Sequence, residues 1–149
     1  MSYFKYNMQS IKHRDINDLP KFLIIGEAGE RPFEDSASGT RLRAWFDVAD
    51  YAGLKSIAHL TNVYRCKDGR TTPGHARHVQ CLIDSVKHVV LVGRVAQLKY
   101  GRHHSTVMWS DDRYMGLPHP SGLNRQLNSI TDDDVKSYVD GVLRLWGYR

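Results

Sequence analysis

The sequence predicts an α/β fold, a doubly wound, mostly parallel sheet flanked by helices. Three observations predict it. Short, uniformly apolar runs, FLII at Phe22 to Ile25 and VVLV at Val89 to Val92, each stop at a glycine, as strands buried on both faces do. Between these runs lie segments whose apolar residues recur at helical spacing. The two kinds alternate over 149 residues, a length that suits one domain, residues 1–149, with a substantial core.

Taken in order, the first strand covers Phe22 to Ile25 of KFLIIGEAG and stops at Gly26. A helix follows from Ser38, with Leu42, Trp45, Phe46 and Ala49 at helical spacing and Ser38 or Thr40 as its N-cap. SIAHLTNVY is the second strand and runs into the polar loop RCKDGRTTPG. Pro73, a residue suited to the first helical position, opens a helix through Ser85 with Val79, Leu82, Ile83 and Val86 on one side. KHVVLVG is the third strand, ending at Gly93, and RVAQLKYG is a short helix stopped by Gly101. STVMW and RYMGLP form two short strands across the turn SDD. The last helix starts at Thr131, with Asp132, Asp133 and Asp134 in the first turn, where carboxylates complement the helix dipole. Val135, Tyr138, Val139, Val142, Leu143 and Trp146 give it an apolar stripe.

Composition bounds the function. No apolar run approaches the roughly 18 residues that span a bilayer, so no membrane association is expected. The stretch MSYFKYNMQSIKHRDIND lacks the apolar core of a signal peptide, so the expected location is the cytoplasm, or wherever the nucleic acid is, and not outside the cell. A net charge of +5 suits a polyanionic partner, although the acidic run TDDD interrupts any uniform basic stripe. Cys66 and Cys81 are too few for a disulfide scaffold or a four-thiolate metal site, and read as two free, partly buried thiols. A small hydrolase acting on free nucleotides finds no support in a Gly-x-Ser-x-Gly elbow or a Walker A loop.

Ligands of such sheets bind at the carboxyl ends of the strands, so GEAGERPF, TNVYRC, GRVAQ and LPHPSGLNR share one edge. His119 is either a satisfied structural side chain or an imidazole beside an anion site. Ser121 and Gly122 offer backbone N–H groups just ahead of a short helix at Asn124, which suits a phosphate. Leu123, placed between them and Arg125, is either an ordinary exposed leucine or a wedge that enters a base stack. An enzyme that works on a base inside a duplex must rotate it out, and something must fill the gap. Asn62 is a turn residue or a reader of a pyrimidine edge, since its amide offers donor and acceptor together. Phe33 is a core ring or a platform for a flipped base. Glu27 and Glu30 are solvated surface or carboxylates that orient a water.

Read in order, these segments resemble the uracil-DNA glycosylase superfamily. LIIGEAG is similar to its first motif, and TNVYRCKDGRTTPGHARHVQC to the middle segment of the iron–sulfur (family 4) glycosylases. HVVLVGRVA resembles their next strand and turn. LPHPSGLNR resembles the second motif, His-Pro-Ser, with an ending nearest the mismatch-specific uracil/thymine glycosylases. The resemblance covers residues 21 to 129.

What it implies is a monofunctional DNA glycosylase that flips uracil or a related pyrimidine from duplex or single-stranded DNA, working as a monomer. His119 would donate to the pyrimidine O2 as charge develops there. Asn62 would read the base edge and Phe33 stack on it, with Gly26, Ala28 and Gly29 lining the base site. Ser121, Gly122 and Asn124 would hold the backbone, Leu123 plug the stack, and Arg125 touch the backbone or the opposite strand. Ala28 stands where many relatives carry an Asp or Asn for the water, which leaves that duty to Glu27 or Glu30. Gly29 stands where uracil-specific relatives place a bulky residue against thymine's methyl, so a 5-substituted base would fit. Cys66 and Cys81 match two of the four cluster ligands of family 4, but no Cys-x-x-Cys lies near the N-terminus. No cluster, metal or other cofactor is therefore expected. Ala28 also motivates the alternative, a non-catalytic DNA-binding module on the same fold that recognises modified or damaged bases.

Overall fold

The computed structural model describes residues 21–28, 33–34, 36–66, 69–101, 108–121 and 130–149. Strands and helices alternate there as β1 (Phe22–Ala28), α1 (Ala37–Trp45), α2 (Tyr51–Ile57), β2 (Ala58–Tyr64), α3 (Pro73–Ser85) and β3 (Val89–Val92). The order continues with α4 (Arg94–Tyr100), β4 (Trp109–Ser110), β5 (Tyr114–Leu117) and α5 (Asp132–Trp146). The sheet runs β2-β1-β3-β5-β4, parallel throughout except for the antiparallel edge strand β4. The α/β class and the mostly parallel sheet both hold.

Strand alternation sends side chains to two cores, which is why helices cover both faces. Phe22, Ile24, Val90, Val92, Met115 and Leu117 face α1, α2 and α5, where Leu42, Trp45, Leu54, Val135 and Val139 meet them. Leu23, Ile25, Val89 and Leu91 face α3 and α4, against Val79, Ile83 and Ala96. Full burial of each such aliphatic side chain stabilises the fold by about 1.5–3 kcal/mol.

Several local outcomes differ from the expectations. β1 continues past Ile25 to Ala28, because Gly26 and Ala28 still pair with Asn62 and Tyr64 of β2. Ser36, not Ser38 or Thr40, caps α1, its hydroxyl accepting from the Gly39 amide at 3.0 Å. That helix ends at Trp45, so Ala49 lies outside it and exposed. The first residues of SIAHLTNVY belong to α2, a single short helix capped by Asp50 that buries only Leu54. Of STVMW, residues 105–107 lie outside the described residues, and Trp109 pairs with Gly116. The helix from Pro73 to Ser85 and the capping box of Thr131 and Asp134 on α5 form as read.

Candidate active site at the carboxyl edge of the sheet

Because β1, β2, β3 and β5 run parallel, their carboxyl ends bring Gly26 to Ala28, Asn62, Gly93 and His119 to one edge. Gly26 lies opposite Asn62 in the ladder. A Cβ on Gly26 would stand 2.5 Å from Asn62 Oδ1 and 2.6 Å from Phe33 Cζ. Glycine is thus what lets the amide and the ring close over β1. Asn62 is buried, and Phe33 is half-buried with a left-handed φ of 61°, uncommon for a bulky residue. Its carbonyl accepts from Arg43 Nη1 at 3.1 Å, a buried guanidinium on α1.

His119 follows β5 and is half-buried. It packs on Gly93, which has φ +87°, and a Cβ there would lie 3.2 Å from His119 Cδ2. The end of β5 is pinned two residues earlier. The Leu117 carbonyl accepts from the Gly93 amide at 2.8 Å and from Gln97 Nε2 at 3.0 Å. Gln97 in turn accepts the Trp109 indole N–H at 3.0 Å.

The ring's protonation follows from its partners. The Ser121 amide donates to His119 Nδ1 at 3.1 Å, so Nδ1 carries the lone pair and Nε2 the proton. Burial pushes the imidazole below its ordinary value, and the nearby Glu27 carboxylate partly opposes that. The result is a neutral donor beside an anion, with Glu27 itself exposed at the end of β1.

Of the residues singled out by sequence, Glu27, Gly26, Ala28, Asn62, Phe33, His119 and Ser121 lie on or beside this edge. Gly29, Glu30, Gly122, Leu123, Asn124 and Arg125 lie outside the described residues. The Ser121 amide, read as facing a phosphate, is instead directed to the imidazole. Cys66 and Cys81 are half-buried free thiols, and no metal-holding group of three His, Cys, Asp or Glu occurs among the described residues. Among those residues no helix is long and apolar enough to cross a membrane.

The model of one protein family, described as the uracil DNA glycosylase superfamily, matches residues 13–142. The chain belongs to the uracil DNA glycosylase superfamily. A comparison with curated proteins finds no match. The matched residues span the whole edge described above, and members of this superfamily are typically glycosylases that act on DNA. Within this superfamily fold, Arg43, Gln97 and the second duty of Gly93 were not read from the sequence. Arg43 and Gln97 sit on helices where a polar residue ordinarily faces water, and nothing local marks them as buried.

Proposed function

We propose that the protein is a monofunctional DNA glycosylase that flips uracil or a related pyrimidine, 5-substituted ones included, and hydrolyses its N-glycosidic bond. The observation that carries this is the neutral His119, its Nε2–H left as donor by the Ser121 bond at Nδ1, with Glu27 beside it. As the N1–C1′ bond breaks, its electron pair moves into the pyrimidine and charge gathers on O2. A fixed N–H donor aimed at that oxygen in a water-poor site lowers the barrier without any reorganisation. Glu27 orients a water toward C1′ and stabilises the positive charge on the sugar, with Glu30 the second candidate. The water oxygen bonds C1′, its proton passes to the carboxylate and on to solvent, and the free base and an abasic site remain.

Asn62 reads the base edge and Phe33 stacks on the ring, with Gly26, Ala28 and Gly29 around them. Gly29 places no side chain against a 5-substituent. The Ser121 hydroxyl, Gly122, Asn124 and Arg125 hold the backbone of duplex or single-stranded DNA, and Leu123 fills the vacated stack. The enzyme acts as a monomer wherever its DNA is. The likeness of the middle segment to the iron–sulfur glycosylases does not extend to a cluster, because two cysteines cannot supply four thiolates.

The test is incubation with single- and double-stranded oligonucleotides carrying uracil, a thymine mismatch or 5-hydroxymethyluracil, then alkali and a gel. Cleavage at the modified position is expected, and intact strands at stoichiometric protein refute the proposal. A non-catalytic DNA-binding module is the second reading, favoured by the bare methyl of Ala28 at the end of β1. It predicts salt-dependent binding to abasic DNA without turnover. Loss of product with retained binding in His119→Ala decides for the enzyme.

A further inference from the structure

Among the described residues β2 is an outer strand of the sheet, so no described strand neighbours the carbonyls on its far side. One of these belongs to Asn62, and His75 Nε2 meets it at 2.8 Å. A carbonyl only accepts, so Nε2 carries the proton and His75 is the donor. His75 is itself held in place. It lies in the first turn of α3, where Thr72 Oγ1 accepts its backbone N–H at 3.1 Å and Pro73 occupies the helix start. Gly26 opposite it leaves room for the Asn62 amide to lie close over β1, its Oδ1 2.5 Å from where a Cβ would stand. Pairing with β1 holds the backbone dihedrals of Asn62, so a bond that holds its carbonyl steadies the Cα–Cβ bond from which the amide projects, while χ1 and χ2 are set by packing against Gly26 and Phe33.

We propose that His75 is a positioning residue for base recognition, holding Asn62 at the register in which its amide meets the pyrimidine edge. The inference rests on the glycosylase reading and names a side chain on α3 to which that reading gives no role. The Phe33 and Leu117 carbonyls are met in the same way by helix-borne Arg43 and Gln97, so the bond at Asn62 belongs to a pattern along this edge.

The test uses the full chain with His75→Ala, His75→Phe, which keeps a ring and loses the donor, and His75→Gln, whose amide reaches similarly. Free uracil is titrated as an inhibitor of uracil excision, and binding to an abasic-site oligonucleotide, which offers Asn62 no base, is measured alongside. Loss of one hydrogen bond's worth of positioning is expected to raise the half-inhibiting uracil concentration about tenfold in the Ala and Phe proteins. Abasic affinity stays within about twofold of wild type, since the phosphate contacts are untouched, and Gln restores most of the uracil affinity. Wild-type uracil inhibition in a folded Ala or Phe protein overturns the proposal. So does a parallel loss of abasic binding, or a Gln protein no better than Ala. A wild-type protein that releases no base refutes the glycosylase reading first, in a lane that needs no variant.

Discussion

Gly26→Ala separates the geometry of the site from the stability of the fold. Gly26 is buried in β1, and its φ is not in the left-handed region, so the backbone accepts alanine. The new Cβ would stand 2.5 Å from Asn62 Oδ1 and 2.6 Å from Phe33 Cζ. Such atoms settle roughly 3.5 Å apart or more, so each must withdraw by about 1 Å. Both are the far ends of side chains, and the relief comes from turning the amide and the ring while the strand stays put. Removing a strand-interior glycine returns roughly 0.5–1 kcal/mol, which offsets part of the displacement. Net stability is therefore expected to stay within about 1 kcal/mol of wild type. A positioning error of about 1 Å costs on the order of 100-fold in rate, about 2.7 kcal/mol of barrier. Single-turnover uracil release at saturating protein, with thermal unfolding alongside, measures both. A wild-type rate in a folded Gly26→Ala protein refutes the contact, and a protein that no longer folds refutes the claim that side chains alone must move.

Gly93→Ala puts a side chain at φ +87°, ψ 166°, a region almost confined to glycine, and 3.2 Å from His119. A loss of about 1–3 kcal/mol in urea unfolding is expected, together with slower base release. Asp132→Ala removes the acceptor of the buried Trp45 indole at 2.8 Å and the partner of Arg41. Because the carboxylate is 52% exposed, water takes over in part and the expected loss is about 1 kcal/mol, smaller still for Asp132→Asn. His78, His88 and His119 are all held below the ordinary histidine value of 6.5, burial being the largest cause for each. The folded chain then binds fewer protons than the unfolded one below pH 6.5. Melting temperature should accordingly fall as pH drops through that value and level off below the folded values, with no contribution from these groups above it. The acid limb of kcat/KM due to His119 should likewise lie below pH 6.5, and a His119-dependent limb centred above that value refutes the assignment.

What was legible in the sequence is what depends on local pattern. FLII and VVLV read as buried strands because both faces of the sheet are covered, and both are fully buried cores of strands here. Pro73 and Thr131 mark helix starts because proline and a capping threonine act within one turn. Ser56 and Ile57 read as the start of a strand, and Tyr51 to Lys55 as no element, because a seven-residue helix with one buried leucine shows no period to count. Ser36 caps α1 in place of the expected Ser38 or Thr40 because the helix starts earlier, where Gly39 packs under the carbonyls of Phe33 and Glu34. The edge itself followed from parallel topology, which is a rule about whole sheets. Which glycine touches His119 could not follow, since that depends on β3 and β5 being paired with Val92 beside Leu117.

The part that stayed hidden has one form. Arg43 of α1 donates to the Phe33 carbonyl, His75 of α3 to that of Asn62, and Gln97 of α4 to that of Leu117. In each case a helix that follows a strand, or a loop at that strand's end, sends a polar side chain back to the main chain beside a candidate site residue. Arg43 and Gln97 are 7% and 3% exposed, so breaking either bond strands a buried polar group at about 1–3 kcal/mol. That penalty keeps the arrangement in place before any substrate arrives. A site that must discriminate one base by an amide and polarise one oxygen by an imidazole gains from such stiffness, because positioning errors of an ångström cost more than any single hydrogen bond stabilises. The sequence motifs therefore mark the groups that would touch the base, whereas the precision of their placement resides in polar helix residues, Arg43, His75 and Gln97, whose bonds back to the main chain no local pattern reveals.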